Sequence, residues 1–210
     1  MTTASSTSRT AFAALRRFAE VRPAGERCDL CAKPVAPGHR HLMEAVTRRF
    51  VCACDPCALL FAEQPTARYR ALPRTPLRLD HFRMTEAQWT ALGIPINMVF
   101  FTKDGHDGRV IAQFPGPAGA TEAFLDPEAW NPLVEANPIL HRLRHDVEAI
   151  LVNRVGASRD YYLVPIDFGF GLAGLIRLHW RGLEGGAEVW AEIGRFFDRL
   201  RSMSAGATHA

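Results

Sequence analysis

The sequence predicts an α+β protein: a small four-cysteine module at the N-terminal end, followed by an α+β domain with a mostly antiparallel sheet. Three observations lead there. Four of the five cysteines form two Cys-x-x-Cys pairs, Cys28/Cys31 and Cys54/Cys57, with 22 residues between them. At that spacing two knuckles can fold back and present four sulfurs to one tetrahedral ion, as in a zinc ribbon or a rubredoxin. Downstream, Ile96–Thr102 with Val110–Phe114, and Val147–Val155 with Asp160–Ile166, are paired runs rich in Val, Ile and aromatic residues. Each pair is joined by a glycine-containing turn, so each reads as a β-hairpin. Finally, residues 187–200 carry Val189, Trp190, Ile193, Phe196, Phe197 and Leu200 on one stripe, the pattern of an amphipathic helix.

Taken in order, residues 1–25 read as a leader helix, with Phe12, Leu15, Phe18 and Ala19 at helical spacing before the breaker RPAG. Residues 26–62 form the ribbon module. Pro37-Gly38 marks a turn, His41-Leu42 and residues 49–52 are candidate strands, and Phe50, Cys52 and Cys54 alternate as if sharing one strand face. Ala58 to Phe61 begins a short helix or packs over the metal. Residues 63–83, with Pro65, Pro73 and Pro76, read as an extended connector with a short strand near residues 77–80.

The α+β domain spans 84–203 and the last residues, 204–210, read as a disordered tail. Thr85 with Gln88 makes a capping box, and Asp126-Pro127 is an N-cap with proline at the first helical position. PGPAGA at 115–120 reads as a loop, and Asn137-Pro138 ends a helix that a short helical turn follows. Leu172, Leu175, Ile176 and His179 lie at helical spacing, although Gly169, Gly171 and Gly174 leave a strand open there.

At 210 residues with 48% apolar side chains, the chain can bury a core. No run approaches the roughly 18 apolar residues of a membrane span, and no apolar signal region is seen at the N-terminus. The cysteines cluster between residues 28 and 57 in an odd number, which fits metal ligation in a reducing compartment better than disulfides. The expectation is a cytoplasmic protein. Residues 1–85 hold 14 Lys and Arg against 7 Asp and Glu, a net +7, and the remainder nets −4. The basic half suits a nucleic-acid surface, or a solvated face and a dock for an acidic partner; the second reading is preferred.

The expected ligands are Cys28, Cys31, Cys54 and Cys57, and Zn2+ is the expected ion, since four thiolates close a tetrahedral site. The alternative is iron in a rubredoxin-type site carrying one electron. Pro56 inside the second knuckle removes an N–H that could reach sulfur, which weakens the iron reading. Cys52 could replace Cys54 as a ligand, but the tight knuckle favours Cys54 and leaves Cys52 a buried or redox-sensitive thiol. His39 and His41 could each supply a nitrogen; the preferred reading is exposed loop histidines. No nucleophile elbow, Walker loop or His-Glu-x-x-His occurs. Glu122, Asn153, Arg154, Asp160, Asp167 and Arg177 lie near element ends, where capping and ion pairing are the expected roles. The expectation is a protein that is not an enzyme.

The stretches CDLCAKPVAPGHRHL (28–42), VCACDPCALLF (51–61), FPGPAGATE (114–122), EAILVNR (148–154), YYLVPID (161–167) and GLIRLHWRGLEGGAEVW (174–190) resemble a family of uncharacterised bacterial proteins encoded in gene clusters of high-affinity nickel–iron hydrogenases. No biochemical activity comes with that family. The resemblance implies an accessory role in maturation, assembly or electron supply, with hydrogenase subunits or maturation factors as partners. A rubredoxin-like carrier and a zinc-ribbon nucleic-acid-binding regulator are the competing readings.

Overall fold

The computed structural model describes residues 25–62 and 68–204. Of the expected leader helix (1–25) and C-terminal tail (204–210), residues 1–24 and 205–210 lie outside the described residues, while Ser204 is helical and buried. The architecture is α+β with two antiparallel sheets.

The small sheet has the order β2-β1-β3, formed by β1 (Arg40–Glu44), β2 (Phe50–Ala53) and β3 (Tyr69–Ala71). Helix α1 (Asp55–Ala62) follows β2 directly. Alternation along β1 and β2 gives this sheet two different faces. Leu42, Val51 and Ala53 point to one side and close with Ala58 into a small core of their own. Met43 and Phe50 point to the other and join the main core, where Phe50 packs edge-on against Phe170 at 5.5 Å. Residues 68–83 contribute a strand to each sheet. β3 completes the ribbon sheet, and β4 (Leu77–Arg78) pairs with the last strand of the main sheet.

The main sheet has the order β4-β9-β8-β5-β6-β7, with β5 (Met98–Lys103), β6 (Val110–Gly116), β7 (Gly119–Phe124), β8 (Glu148–Asn153) and β9 (Asp160–Pro165). Every residue of β8 is buried, because helices cover both faces. On one face Phe100, Leu151, Tyr162 and Val164 meet α4 (Ile166–His179) and α5 (Gly186–Ser204). On the other, Val99, Phe101, Ile150 and Val152 meet α2 (Glu86–Ala91), α3 (Pro127–Ala136) and a 3-10 turn over Pro138–Arg142. The predicted capping box at Thr85 and the Asp126 cap are both formed. PGPAGA is a tight hairpin and not an open loop, and the strand after it, β7, is an edge strand whose side chains are mostly exposed. It carries no apolar alternation by which a sequence could announce it.

The glycines at 169, 171 and 174 sit in α4, so the helical spacing prevails over the glycines there. Gly169 lets the helix approach the sheet: a Cβ at that position would lie 2.6 Å from the ring of Phe100, which is fully buried. Gly174 is exposed, with nothing within 4 Å of a Cβ. Gly169→Ala should accordingly destabilise the protein by about 1–3 kcal/mol through overpacking, while Gly174→Ala should stabilise it by up to about 1 kcal/mol. Urea unfolding midpoints of the two variants check both signs.

Candidate metal centre

The first knuckle is a turn closed by the Cys28 N–H donating to the Lys33 carbonyl at 2.8 Å and the Ala32 N–H donating to the Cys28 carbonyl at 2.8 Å. Ala32 occupies the left-handed region at φ 61°, where glycine is the usual residue. Asp29 ties this turn to β2 at two points: its N–H donates to the Cys52 carbonyl at 2.8 Å, and its carboxylate accepts from the Cys52 N–H at 2.7 Å. The second knuckle is the entry to α1. Cys54 precedes the helix, its carbonyl accepts the Ala58 N–H at 2.9 Å, and Cys57 lies in the first turn. Pro56 is also in that turn, where a missing N–H leaves no helical bond unmade.

These two turns bring Cys28, Cys31, Cys54 and Cys57 together. The four sulfurs lie within 4.8 Å of one another, and Cys31 and Cys54 are 3.7 Å apart. Four sulfurs about 2.3 Å from a tetrahedral ion are separated by about 3.8 Å, so this cluster could hold a metal ion with little adjustment. Cys28 and Cys57 are buried while Cys31 is exposed, so the centre has one buried edge and one edge at the surface.

The metal-free thiols are strongly unequal. Burial alone would raise Cys28, but N–H groups of Cys54, Leu30 and Cys31 bond its sulfur and bring it down to about 6. Cys57 is pushed up to about 12, first by its hydrogen bond with Cys54, then by burial and by the remaining sulfurs, among them the charge on Cys28.

The structure separates Cys52 from this centre. Strand β2 ends at Ala53, so the alternation that Phe50 and Cys52 share does not extend to Cys54. Cys52 stands directly opposite His41 in the β1–β2 ladder, and one donor atom each of His39, His41 and Cys52 fall within 4.8 Å of one another. The histidines are not exposed loop residues. The His39 side chain is only 6% exposed, and His41 is tied through Nδ1 to Asp167 Oδ2 at 2.6 Å. That carboxylate, despite partial burial of the ring, raises the His41 pKa. The histidine pair could have been suspected from their two-residue spacing, His39 just before β1 and His41 within it; the partner Asp167, 126 residues away, had no local signal.

The other polar candidates do not converge. Arg154 is buried, stacks over Trp89 at 4.8 Å and pairs with Glu86. Asn153 caps the Val155 N–H, Glu122 accepts from Gln113, and Asp160 lies 4.0 Å from Arg201. Five of the fourteen basic residues in the first 85 form ion pairs, Arg40 with Asp55, Arg48 with Asp104, Arg68 with Glu44, Arg70 with Asp146 and Arg78 with Asp80, and two of these acids, Asp104 and Asp146, come from the acidic half. No helix among the described residues is long and apolar enough to cross a membrane.

Fold and site define an α+β protein with a four-cysteine ribbon set against a helix-covered antiparallel sheet. Residues 27–204 match the family model described as "Family of unknown function (DUF5947)", and the chain belongs to that family. No curated protein and no solved structure matches it.

Because Cys28 in the metal-free cluster loses its proton near pH 6, an ion binding below that value displaces one proton more than above it. Affinity should fall on acidification, and the slope of log affinity against pH should steepen by one unit below about 6. Competition against a chromophoric chelator across that range measures the slope.

Proposed function

We propose that this protein is a zinc-ribbon accessory factor, not an enzyme, working by protein–protein contact in the maturation or assembly of a nickel–iron hydrogenase. The observation that carries the metal part is the four-cysteine cluster, in which four thiolates would fill every position of a tetrahedral ion and leave none for substrate. Zinc suits such a site, and its role would be to hold the two knuckles on the sheet. The contact part is supported by α1, which exposes Leu59, Leu60 and Phe61 at 51%, 67% and 43%. Consecutive exposed apolar residues on a helix beside the centre are the chemistry of a docking surface. The hydrogenase setting rests on the sequence resemblance alone.

A rubredoxin-like one-electron carrier is the second reading. It is favoured by the N–H bonds on the Cys28 sulfur and by the exposed Cys31 edge, since such bonds and surface proximity tune and connect an iron centre. A nucleic-acid role is disfavoured by the ion pairs that occupy Arg40, Arg48, Arg68, Arg70 and Arg78.

The test is a tagged chain recovered from cells expressing the hydrogenase, with Leu60→Glu and Phe61→Glu beside the unaltered protein. Hydrogenase subunits or maturation proteins should co-purify, and recovery should drop at least about tenfold in the variants as the apolar contact is lost. A deletion strain that assembles fully active hydrogenase contradicts the reading. Metal content and the visible spectrum after anaerobic purification separate zinc from iron.

A further inference from the structure

We propose that His39, His41 and Cys52 form a second metal site, separate from the four-cysteine centre, that takes a borderline divalent first-row ion through two imidazole nitrogens and one thiolate. A carbonyl or carboxylate oxygen can only accept, so the ring nitrogen facing it carries the proton. His39 Nδ1 faces the Ala36 carbonyl at 3.1 Å, with Glu26 Oε2 at 3.5 Å. His41 Nδ1 faces Asp167 Oδ2 at 2.6 Å. In both rings Nδ1 is the donor, and Nε2 is left as the lone-pair nitrogen available to an ion. A metal-binding histidine has this arrangement, its far N–H held by a carboxylate or carbonyl that fixes tautomer and ring orientation.

The site also has an unmet need. His39 Nε2 is buried without a hydrogen-bond partner in a side chain only 6% exposed. A buried acceptor left unpaired is destabilising, and an ion bound to that nitrogen removes the deficit. Asp167 Oδ1, on the carboxylate that orients His41, is likewise buried and unpartnered. The third donor is placed by register, since Cys52 is the cross-strand partner of His41. Donor atoms of all three residues lie within 4.8 Å of one another.

Two nitrogens and a sulfur suit Zn2+, Co2+ or Ni2+ better than hard ions. With Cys52 deprotonated by the ion and its proton released to solvent, the site carries one net positive charge, and Asp167 and Glu26 stand behind the histidines to balance it. Three protein donors leave a fourth position, which is the composition of sites that bind water or an exogenous ligand, not of closed structural ones. His41 and Cys52 are each partly exposed, so that position is reachable. The site also spans the seam between ribbon and body, because Asp167 belongs to α4. This inference stands whether or not the hydrogenase reading holds.

The experiment is a zinc titration of the reduced, metal-free full chain. Ions per chain are counted by native mass spectrometry, and alkylation of Cys52 is followed by peptide mapping. The first equivalent should protect the four knuckle cysteines and leave Cys52 reactive. The second should slow Cys52 alkylation at least about tenfold, because a coordinated thiolate is withdrawn from reaction. Cys52→Ser and His39→Gln should each bind one ion, with the knuckle cysteines still protected. Asp167→Asn should weaken the second ion about 10- to 100-fold and leave the first unchanged. The unaltered chain saturating at one ion with Cys52 still reactive overturns the proposal, as does a second ion that persists in both Cys52→Ser and His39→Gln. The alkylation readout on the unaltered chain decides the matter even if a variant fails to fold.

Discussion

The two-residue period of β1 and β2 governs the rest of the molecule. Because neighbours on a strand face opposite ways, Leu42, Val51 and Ala53 are committed to the ribbon's own core, while His41, Met43, Phe50 and Cys52 are turned to the body. A slip of one residue in the β1–β2 pairing would mix these sets. If β1 slipped, His41 and Met43 would turn to the face of Val51 and Ala53 and Leu42 would leave it, so the seam would lose Met43 and the ribbon core Leu42. The four-cysteine cluster, the docking of the ribbon and the position of Cys52 all depend on that one register.

The ribbon needs help from both directions. Its private core buries Leu42, Val51, Ala53 and Ala58, with Leu30 and Tyr69 only partly buried against them. So small a core does not suffice to hold a module of this length folded by itself. Two fastenings make up the difference. One is an ion across the knuckles, whose binding free energy becomes folding free energy. The other is the seam, where Met43, Phe50 and Leu72 enter the main core, Arg48 and Arg70 reach Asp104 and Asp146, and His41 reaches Asp167. A ribbon held at two ends keeps its outer helix, α1, rigid enough to present Leu59, Leu60 and Phe61.

What was legible in the sequence was the chemistry that acts locally. The Cys-x-x-Cys knuckles, the Thr85 and Asp126 caps and the α5 stripe each carry their signal within a few residues, and the structure has them where that signal puts them, apart from Trp190 of the stripe, which is exposed. What was not legible depends on distant partners. β7 is a strand because β6 offers it an edge, not because Gly119–Phe124 alternates. Gly169 reads as a helix breaker until Phe100 is seen beneath it. His39 reads as a loop residue until the fold closes over it, and Asp167 reads as one more polar residue near a helix end until His41 arrives from the other module. Cys52 was ambiguous for the same reason: its two-residue spacing from Cys54 suggested a shared face, and the end of β2 at Ala53 sends the two sulfurs to different neighbours.

The central claim is that the knuckle cysteines, and no other donors, hold the first ion. X-ray absorption at the zinc K-edge, on full-length protein loaded with a single equivalent, tests it most directly. The structure predicts a first shell of four sulfurs at about 2.3 Å, supplied by Cys28, Cys31, Cys54 and Cys57. A shell that contains nitrogen at about 2.0 Å would mean that a histidine has taken the place of a knuckle sulfur, and would contradict the account.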